Sequence, residues 1–249
     1  MRIIELALLV VGIVFLPAAT AAAVSVNIEP VADAFVAQSS PDNNYGGAGA
    51  VETSASGLPK GEFKSLLKFD FSGAKTSFDT TLGAGQWIVQ SVSLKLTAAN
   101  PSNNALFNAS AAGNFGITWM QDDSWVEGAG TPMAPDNVGI TYNTLPSFLS
   151  GADQNAGGFS FNGATSGNFN YSISLVSGLV GDVNGGQLAS LLLAATDTTL
   201  SALFNSRTNM VAANHPVLTV NAVAVPEPAS WILFALASVG LFWVRRSRA

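Results

Sequence analysis

Between residues 24 and 223 apolar and polar side chains alternate in short runs, with a period of two rather than the 3.6 of a helix. Val24, Val26 and Ile28 alternate with Ser25 and Asn27, which predicts a strand with one buried face. Along 64–71, Leu67, Phe69 and Phe71 share one side, while Leu66, Lys68 and Asp70 share the other. Val92, Leu94 and Leu96 against Ser93 and Lys95 repeat the pattern. Such alternation is expected of antiparallel sheets that pack one face on a core and wet the other. Further short strands are predicted at 32–36, 51–55, 115–119, 159–161, 169–173, 188–196 and 215–223. Val176 to Val183 reads as a short helix stopped by Gly185-Gly186, and 199–204 shows no decisive period.

Turn formers fill the gaps. Ser39 to Gly47 is almost entirely Ser, Pro, Asp, Asn and Gly around Tyr45, and 57–61 is a second turn. From 100 to 167 the chain is rich in Asn, Gly, Ser, Thr and Ala, with two prolines in 128–137, which predicts an exposed loop there. Many short strands, glycine- and asparagine-rich turns and little helix predict an all-β fold. Its expected form is a single antiparallel, jelly-roll-like β-sandwich over 24–224.

Two segments break the alternation. Met1 to Ala23 has Arg2, an apolar run from Ile3 to Leu16 interrupted by Glu5, and Ala21-Ala22-Ala23, the layout of a secretory signal peptide. Cleavage is expected after Ala23, with Ala21 as the alternative. Residues 225–249 run from Pro226-Glu227-Pro228 through an uncharged apolar stretch to Arg245, Arg246 and Arg248. A helix over 230–244 would span only about 22 Å, short of the roughly 20 residues that a bilayer core usually asks for. Trp231 and Trp243 near its ends suit membrane interfaces, and the arginines would hold that end in the cytoplasm. The sandwich is thus expected between an N-terminal signal helix and a C-terminal transmembrane helix.

Charge narrows the function. Of 16 acidic and 10 basic residues, Glu5, Glu227, Arg2, Arg245, Arg246 and Arg248 lie in the terminal segments, leaving 14 and 6 between them, a net charge of −8. That balance argues against nucleic acid, which needs clustered Lys and Arg. There is no cysteine, so neither disulfides nor thiolate metal sites are available, and one histidine, His215, excludes a multi-histidine metal site. No cofactor is expected; a structural calcium is the one candidate. Its oxygen donors would be Asp122 and Asp123, or Asp182 and Asn184 from an Asp-Val-Asn-Gly fragment that lacks the downstream glutamate of a full calcium loop. Asp122, Asp123 and Glu127 also form the densest acidic group, though a solvated loop accounts for it without glycosidase chemistry. Tyr45, Trp119 and Trp125 are the candidate sugar-stacking rings, since flat apolar surface beside amides and carboxylates suits a pyranose. Against this, Trp119 lies on a strand, where a core position is the stronger reading, and Trp125 reads equally as core. Asn108-Ala109-Ser110 and Asn170-Tyr171-Ser172 fit the Asn glycosylation pattern.

Two resemblances add to this. Val225-Pro226-Glu227-Pro228-Ala229-Ser230, the apolar run and the arginines, in that order, resemble the PEP-CTERM sorting signal of Gram-negative bacteria. The resemblance implies export through the inner membrane, a transient membrane-anchored intermediate, recognition by an exosortase, and delivery to the cell surface or an exopolysaccharide matrix. Ala32-Asp33-Ala34-Phe35-Val36, then Ser40-Pro41-Asp42-Asn43-Asn44-Tyr45-Gly46-Gly47, and later Leu66-Leu67-Lys68-Phe69-Asp70, resemble DNRLRE-type domains, which are related to disaggregatase repeats and to carbohydrate-binding modules. Lys68 stands where that group usually has arginine. This resemblance implies a non-catalytic β-sandwich that binds extracellular polysaccharide or acts as a spacer. The alternatives are a polysaccharide hydrolase or lyase, and an adhesive protein without glycan specificity.

Overall fold

A computed structural model describes residues 22–101 and 106–225, and in it the alternating segments pair into two antiparallel sheets facing each other. The strands are β1 (Ala23–Ile28), β2 (Ala32–Ala37), β3 (Ala50–Ser54), β4 (Phe63–Asp70), β5 (Trp87–Thr97), β6 (Gly113–Met120), β7 (Gln154–Phe161), β8 (Asn168–Ile173), β9 (Leu188–Ala195), β10 (Ser201–Asn205) and β11 (Val217–Ala224). The smaller sheet has the order β1-β11-β5-β8. The larger runs β10-β3-β4-β9-β6-β7, with β2 also paired to β4. The all-β sandwich expected from the period-two pattern is therefore the fold, and the undecided segment 199–204 supplies strand β10.

The core between the sheets is built by the positions that the alternation marks. Leu67, Phe69, Phe115, Ile117, Leu191 and Leu193 face Val92, Leu94, Leu96, Leu218 and Val220. Each side chain of this size contributes roughly 1.5–3 kcal/mol on full burial. A helix that the pattern did not predict, α1 (Ser72–Leu82), joins β4 to β5. Its Ala74 and Phe78 lie one turn apart and bury together, with Phe78 at 5.0 Å from the Trp87 ring. Lys75 and Asp79 pair on its outer side, and Asp79 also accepts the Trp87 indole N–H at 2.8 Å. The expected helix near 176–183 is α2 (Ser177–Gly185), burying Leu179 and Val183.

The larger sheet departs from the one-wet-face expectation. Leu66 and Lys68 of β4, placed by alternation on the solvent side, are buried. Residues 121–149 fold back over that face and build a second core from Ala32, Ala34, Val36, Leu66, Met120, Leu192, Trp125, Ile140 and Leu145. The 128–137 loop is therefore anchored, although Met133, Ala134, Pro135, Asn137 and Val138 remain exposed. Asn44 is its fastening. The buried amide donates to the carbonyls of Glu127 (2.6 Å) and Ile140 (2.8 Å) and accepts from the N–H groups of Gly46 (3.0 Å) and Gly130 (3.3 Å). Backbone approaches backbone here: a Cβ on Gly46 would lie 2.2 Å from the Glu127 carbonyl oxygen, and one on Gly130 2.0 Å from that of Asn44. The Asn-Tyr-Gly-Gly turn is thus a docking point for a distant loop, not a free tip.

Candidate functional site

The three aromatic residues expected to stack on sugar are buried and packed among interior side chains. Tyr45 is buried and its ring lies flat against Phe35, with centroids 4.7 Å apart and 6° between planes. Trp119 is 8 % exposed, packs against α2, and donates its indole N–H to Asp182 at 2.7 Å. Trp125 is 1 % exposed; its indole N–H donates to the Ser190 hydroxyl at 2.8 Å and its ring covers the Lys68 ammonium, 4.3 Å from the centroid. Lys68 in turn donates to the Trp125 carbonyl at 2.6 Å. Burial lowers the lysine's pKa, opposed by the charges of Asp123, Asp122 and Glu127. An amphipathic ring that both fills a core and satisfies a polar partner is a usual use of buried tryptophan.

The acidic candidates are likewise committed. Asp122 accepts from the Ser124 N–H at 2.8 Å, and its Ser124 bonds hold its pKa low. Burial pushes Asp123 up, against the pull of Ser190 and Lys68. Asp182 is pushed up to about 6 by burial, with the Trp119 bond opposing, while Asn184 is exposed on α2. Among the described residues no group of three His, Cys, Asp or Glu side chains is arranged to hold a metal ion. Glu127 is held by an ion pair with Arg207 and also accepts the Asp33 N–H at 3.0 Å. Asp33 is fully buried, accepts the Arg207 N–H at 2.6 Å, and is pushed up to about 7 by that burial. His215 places one ring nitrogen 3.0 Å from Glu29 and the other 2.8 Å from the Asn209 carbonyl oxygen. Two acceptors favour the doubly protonated ring, and the Glu29 bond, then the Asn209 one, raises its pKa. These groups knit the β10–β11 loop to β2 and to the 121–149 segment.

An open concavity lies elsewhere, where the β5–β6 connection meets the β7–β8 turn. It measures about 350 Å³ and is walled by Asn100, Pro101, Phe107, Asn108, Ser110 and Thr165 among others. Phe107 anchors this wall in the core, edge-on to Phe35 at 5.4 Å. Asn108, 3 % exposed, is spent on the frame. Its N–H donates to Glu52 at 3.1 Å, its side-chain amide donates to Ser54 (3.0 Å) and the Gly61 carbonyl (3.2 Å), and its side-chain oxygen accepts the Lys60 N–H at 2.9 Å. Glu52 is completely buried behind it, also accepts Ser201 at 3.2 Å, and burial pushes its pKa up to about 8. Ser110 keeps a buried hydroxyl with no partner, and Thr165 stands exposed on the rim. The wall thus combines a largely buried aromatic residue, a rim hydroxyl at Thr165 and the buried, unpartnered hydroxyl of Ser110. Sequence reading missed it because Thr165 lies more than fifty positions beyond the 100–110 stretch that supplies the rest of the wall. The one local signal was Asn108-Ala109-Ser110, read as a glycosylation pattern, whose asparagine is buried.

Of the terminal features, Ala23 opens β1 opposite Val223, and the Ala22 carbonyl accepts the Ala224 N–H at 2.9 Å, so both ends of the sandwich leave side by side. Pro226, Glu227, Pro228, Arg245, Arg246 and Arg248 lie outside the described residues. Among the described residues no helix is long and apolar enough to cross a membrane. No curated protein matches the chain. Residues 224–246 match the PEP-CTERM protein-sorting motif, which marks the chain for export and sorting to the cell surface. Residues 24–222 match carbohydrate-binding module family 96 across the whole sandwich, and the chain belongs to that family.

Proposed function

We propose that the protein is a non-catalytic, glycan-binding component of the cell surface or extracellular matrix, and that the cavity beside Phe107, Ser110 and Thr165 holds a sugar residue of an extracellular polysaccharide. The observation that carries this reading is that cavity, in a domain of a carbohydrate-binding family, with its wall fixed from behind by the Asn108–Glu52 bond. A site held rigid before binding loses little to ordering when the ligand arrives. An exosortase processes the tail after a membrane-anchored stage at the inner membrane of a Gram-negative cell. Support for a non-catalytic role comes from Glu127, Asp182 and His215, whose hydrogen-bonding groups are engaged by Arg207, Trp119 and Glu29 rather than turned on a shared cleft.

The test uses oligosaccharides released by partial hydrolysis of the producing cells' exopolysaccharide, titrated into the protein by calorimetry. Ala109, exposed on the cavity wall, is replaced by tryptophan to fill the space. Saturable binding by the wild type, weakened at least tenfold in Ala109→Trp at unchanged melting temperature, is expected. Equal binding by both would remove the cavity from the account. For the tail, replacing Pro226, Glu227 and Pro228 together by alanine is expected to leave full-length protein in the membrane fraction; unaltered release would refute exosortase handling.

A further inference from the structure

The outer face of the smaller sheet changes character along its strands. Asn27, Thr219, Ser93 and Ser172 stand across from one another, and Ser25, Asn221 and Ser91 form the next row. One step further, where the chain enters and leaves the sandwich, the row is Ala23, Val223 and Ile88. Ile88 is 53 % exposed, and Val225, just past the end of β11, is 40 % exposed. Ala23 is exposed too, and Val223 is half-buried. A bulge at Gln90 sets this register. Asn221 pairs with Ser91 but Ala222 with Val89, which turns Ile88 outward while Trp87 and Val89 face the core. The Val225 N–H donates to the Gln86 carbonyl at 2.8 Å, so Val225 is held against the start of β5.

Charge runs the opposite way. The segments that meet at this end, 22–25, 83–91 and 221–225, hold no ionisable side chain. Asp79, which reaches Trp87 from α1, is paired with Lys75. At the other end of the strands lie the Glu29–His215 pair and Lys95, whose ammonium donates to the Ala213 carbonyl at 3.0 Å. The cavity is at that other end as well, since Asn100 and Pro101 follow β5 and Thr165 precedes β8. β5 has eleven residues, so roughly 35 Å of strand separates the apolar row from the cavity.

The chain itself indicates what covers the apolar end. Ser230, where the uncharged apolar stretch 230–244 begins, is five residues beyond Val225, and five residues span at most about 17 Å. While that stretch sits in a membrane, the apolar row is held within reach of the lipid interface, and no fixed charge at this end opposes contact. Ile88, Val223 and Val225 remain in place whichever of the two expected signal cleavages occurs.

We infer that, during the membrane-anchored stage, the sandwich stands on the lipid surface by this end, with Ile88, Val223 and Val225 at the boundary of headgroups and acyl chains and the cavity turned away from the membrane. Apolar groups at that boundary sink about 5–10 Å into it. The polar row beginning at Ser91 limits the contact to the end of the sheet, so the module stands upright instead of lying on its face. The inference rests on the membrane-anchored stage of the proposed function and adds the posture of the folded domain.

The sequence has no cysteine, so a single one can be introduced and labelled. The full chain, carrying a bimane fluorophore on Ile88→Cys, Ala84→Cys or Met210→Cys, is reconstituted into vesicles of phosphatidylethanolamine and phosphatidylglycerol that contain a headgroup-proximal nitroxide lipid as quencher. Ala84 is exposed in the turn before β5, and Met210 is exposed in the β10–β11 loop at the other end. Quenching at positions 88 and 84 is expected to be at least threefold stronger than at 210. Adding Ile88→Glu to the Ala84→Cys chain should lower quenching at 84 at least twofold, with a melting temperature within a few degrees of the parent's, because position 88 is half-exposed. Equal quenching at 88 and 210, in chains that float with the vesicles, would overturn the inference and leave the anchor in place. Quenching at 84 that Ile88→Glu does not change would overturn it too, since the tether alone would then bring this end close. Chains that fail to float with the vesicles would remove the membrane-anchored stage itself, and the inference with it.

Discussion

Replacing Trp125 by alanine distinguishes a core residue from a sugar platform. The side chain is 1 % exposed, bonded to Ser190 and stacked over Lys68, so truncation removes almost all of its buried surface and leaves an indole-sized hole under the 121–149 segment. Deletions of this size cost about 3–5 kcal/mol. The Ser190 hydroxyl left without its donor is exposed to a penalty of about 1–3 kcal/mol, which overlaps the first because the segment relaxes into the hole. A net loss of about 4 kcal/mol is expected. For a domain of this size each kcal/mol moves the melting temperature by about 2–4 °C, so the midpoint should fall by about 8–16 °C. Thermal unfolding followed by circular dichroism reads this directly, with calorimetric titration of oligosaccharide below the transition as companion. Folded Trp125→Ala should bind as the wild type does. A melting temperature within 2 °C of the wild type's together with loss of binding would refute the reasoning and restore Trp125 as a glycan contact.

Other expectations follow from the polar interior. Asn44→Ala strands two carbonyls and two N–H groups at the loop junction and should cost at least about 3 kcal/mol, read by chemical denaturation. Glu52 takes up a proton on folding, its pKa rising from 4.5 to about 8, so stability should fall as pH climbs through that interval. Glu52→Gln keeps its acceptor oxygen for Asn108 and Ser201 and should flatten this slope; an unchanged slope would mean that the carboxyl ionises freely. His215, with a raised pKa, contributes stability that is complete below pH 6.5 and is lost as pH rises through its folded value, a component that His215→Gln should abolish in a pH–stability series. Chelation is expected to leave the melting temperature unchanged, because Asp182 and Asp122 are engaged by Trp119 and Ser124; a drop reversed by calcium would contradict this.

The period-two pattern made the sandwich legible, because a strand with one buried face displays its alternation along the chain. Val92, Leu94 and Leu96 lie where that pattern places them. It misled at Leu66 and Lys68, because the segment covering them comes from more than fifty residues away and carries no pattern of its own beyond Trp125, Ile140 and Leu145. Lys68 reads as surface until the Trp125 carbonyl that holds it is known. Helix α1 escaped because Ser72–Leu82 is rich in serine, threonine and glycine, and its core contact reduces to Ala74 and Phe78. The cavity was invisible for a different reason. Thr165 joins Phe107 and Ser110 only through the pairing of β5 with β8, which local sequence does not record. Tyr45 and the tryptophans were drawn into the site because aromatics suit both sugars and cores, and burial alone separates the two uses.

The location of glycan binding is the claim on which this account turns, and hydrogen–deuterium exchange of the protein with and without its exopolysaccharide oligosaccharides tests it most directly. The account predicts slowed exchange in peptides covering 98–112 and 162–168, with 119–127 and the Tyr45 turn unaffected. Protection confined to 119–127 or to residues around Tyr45 would contradict it.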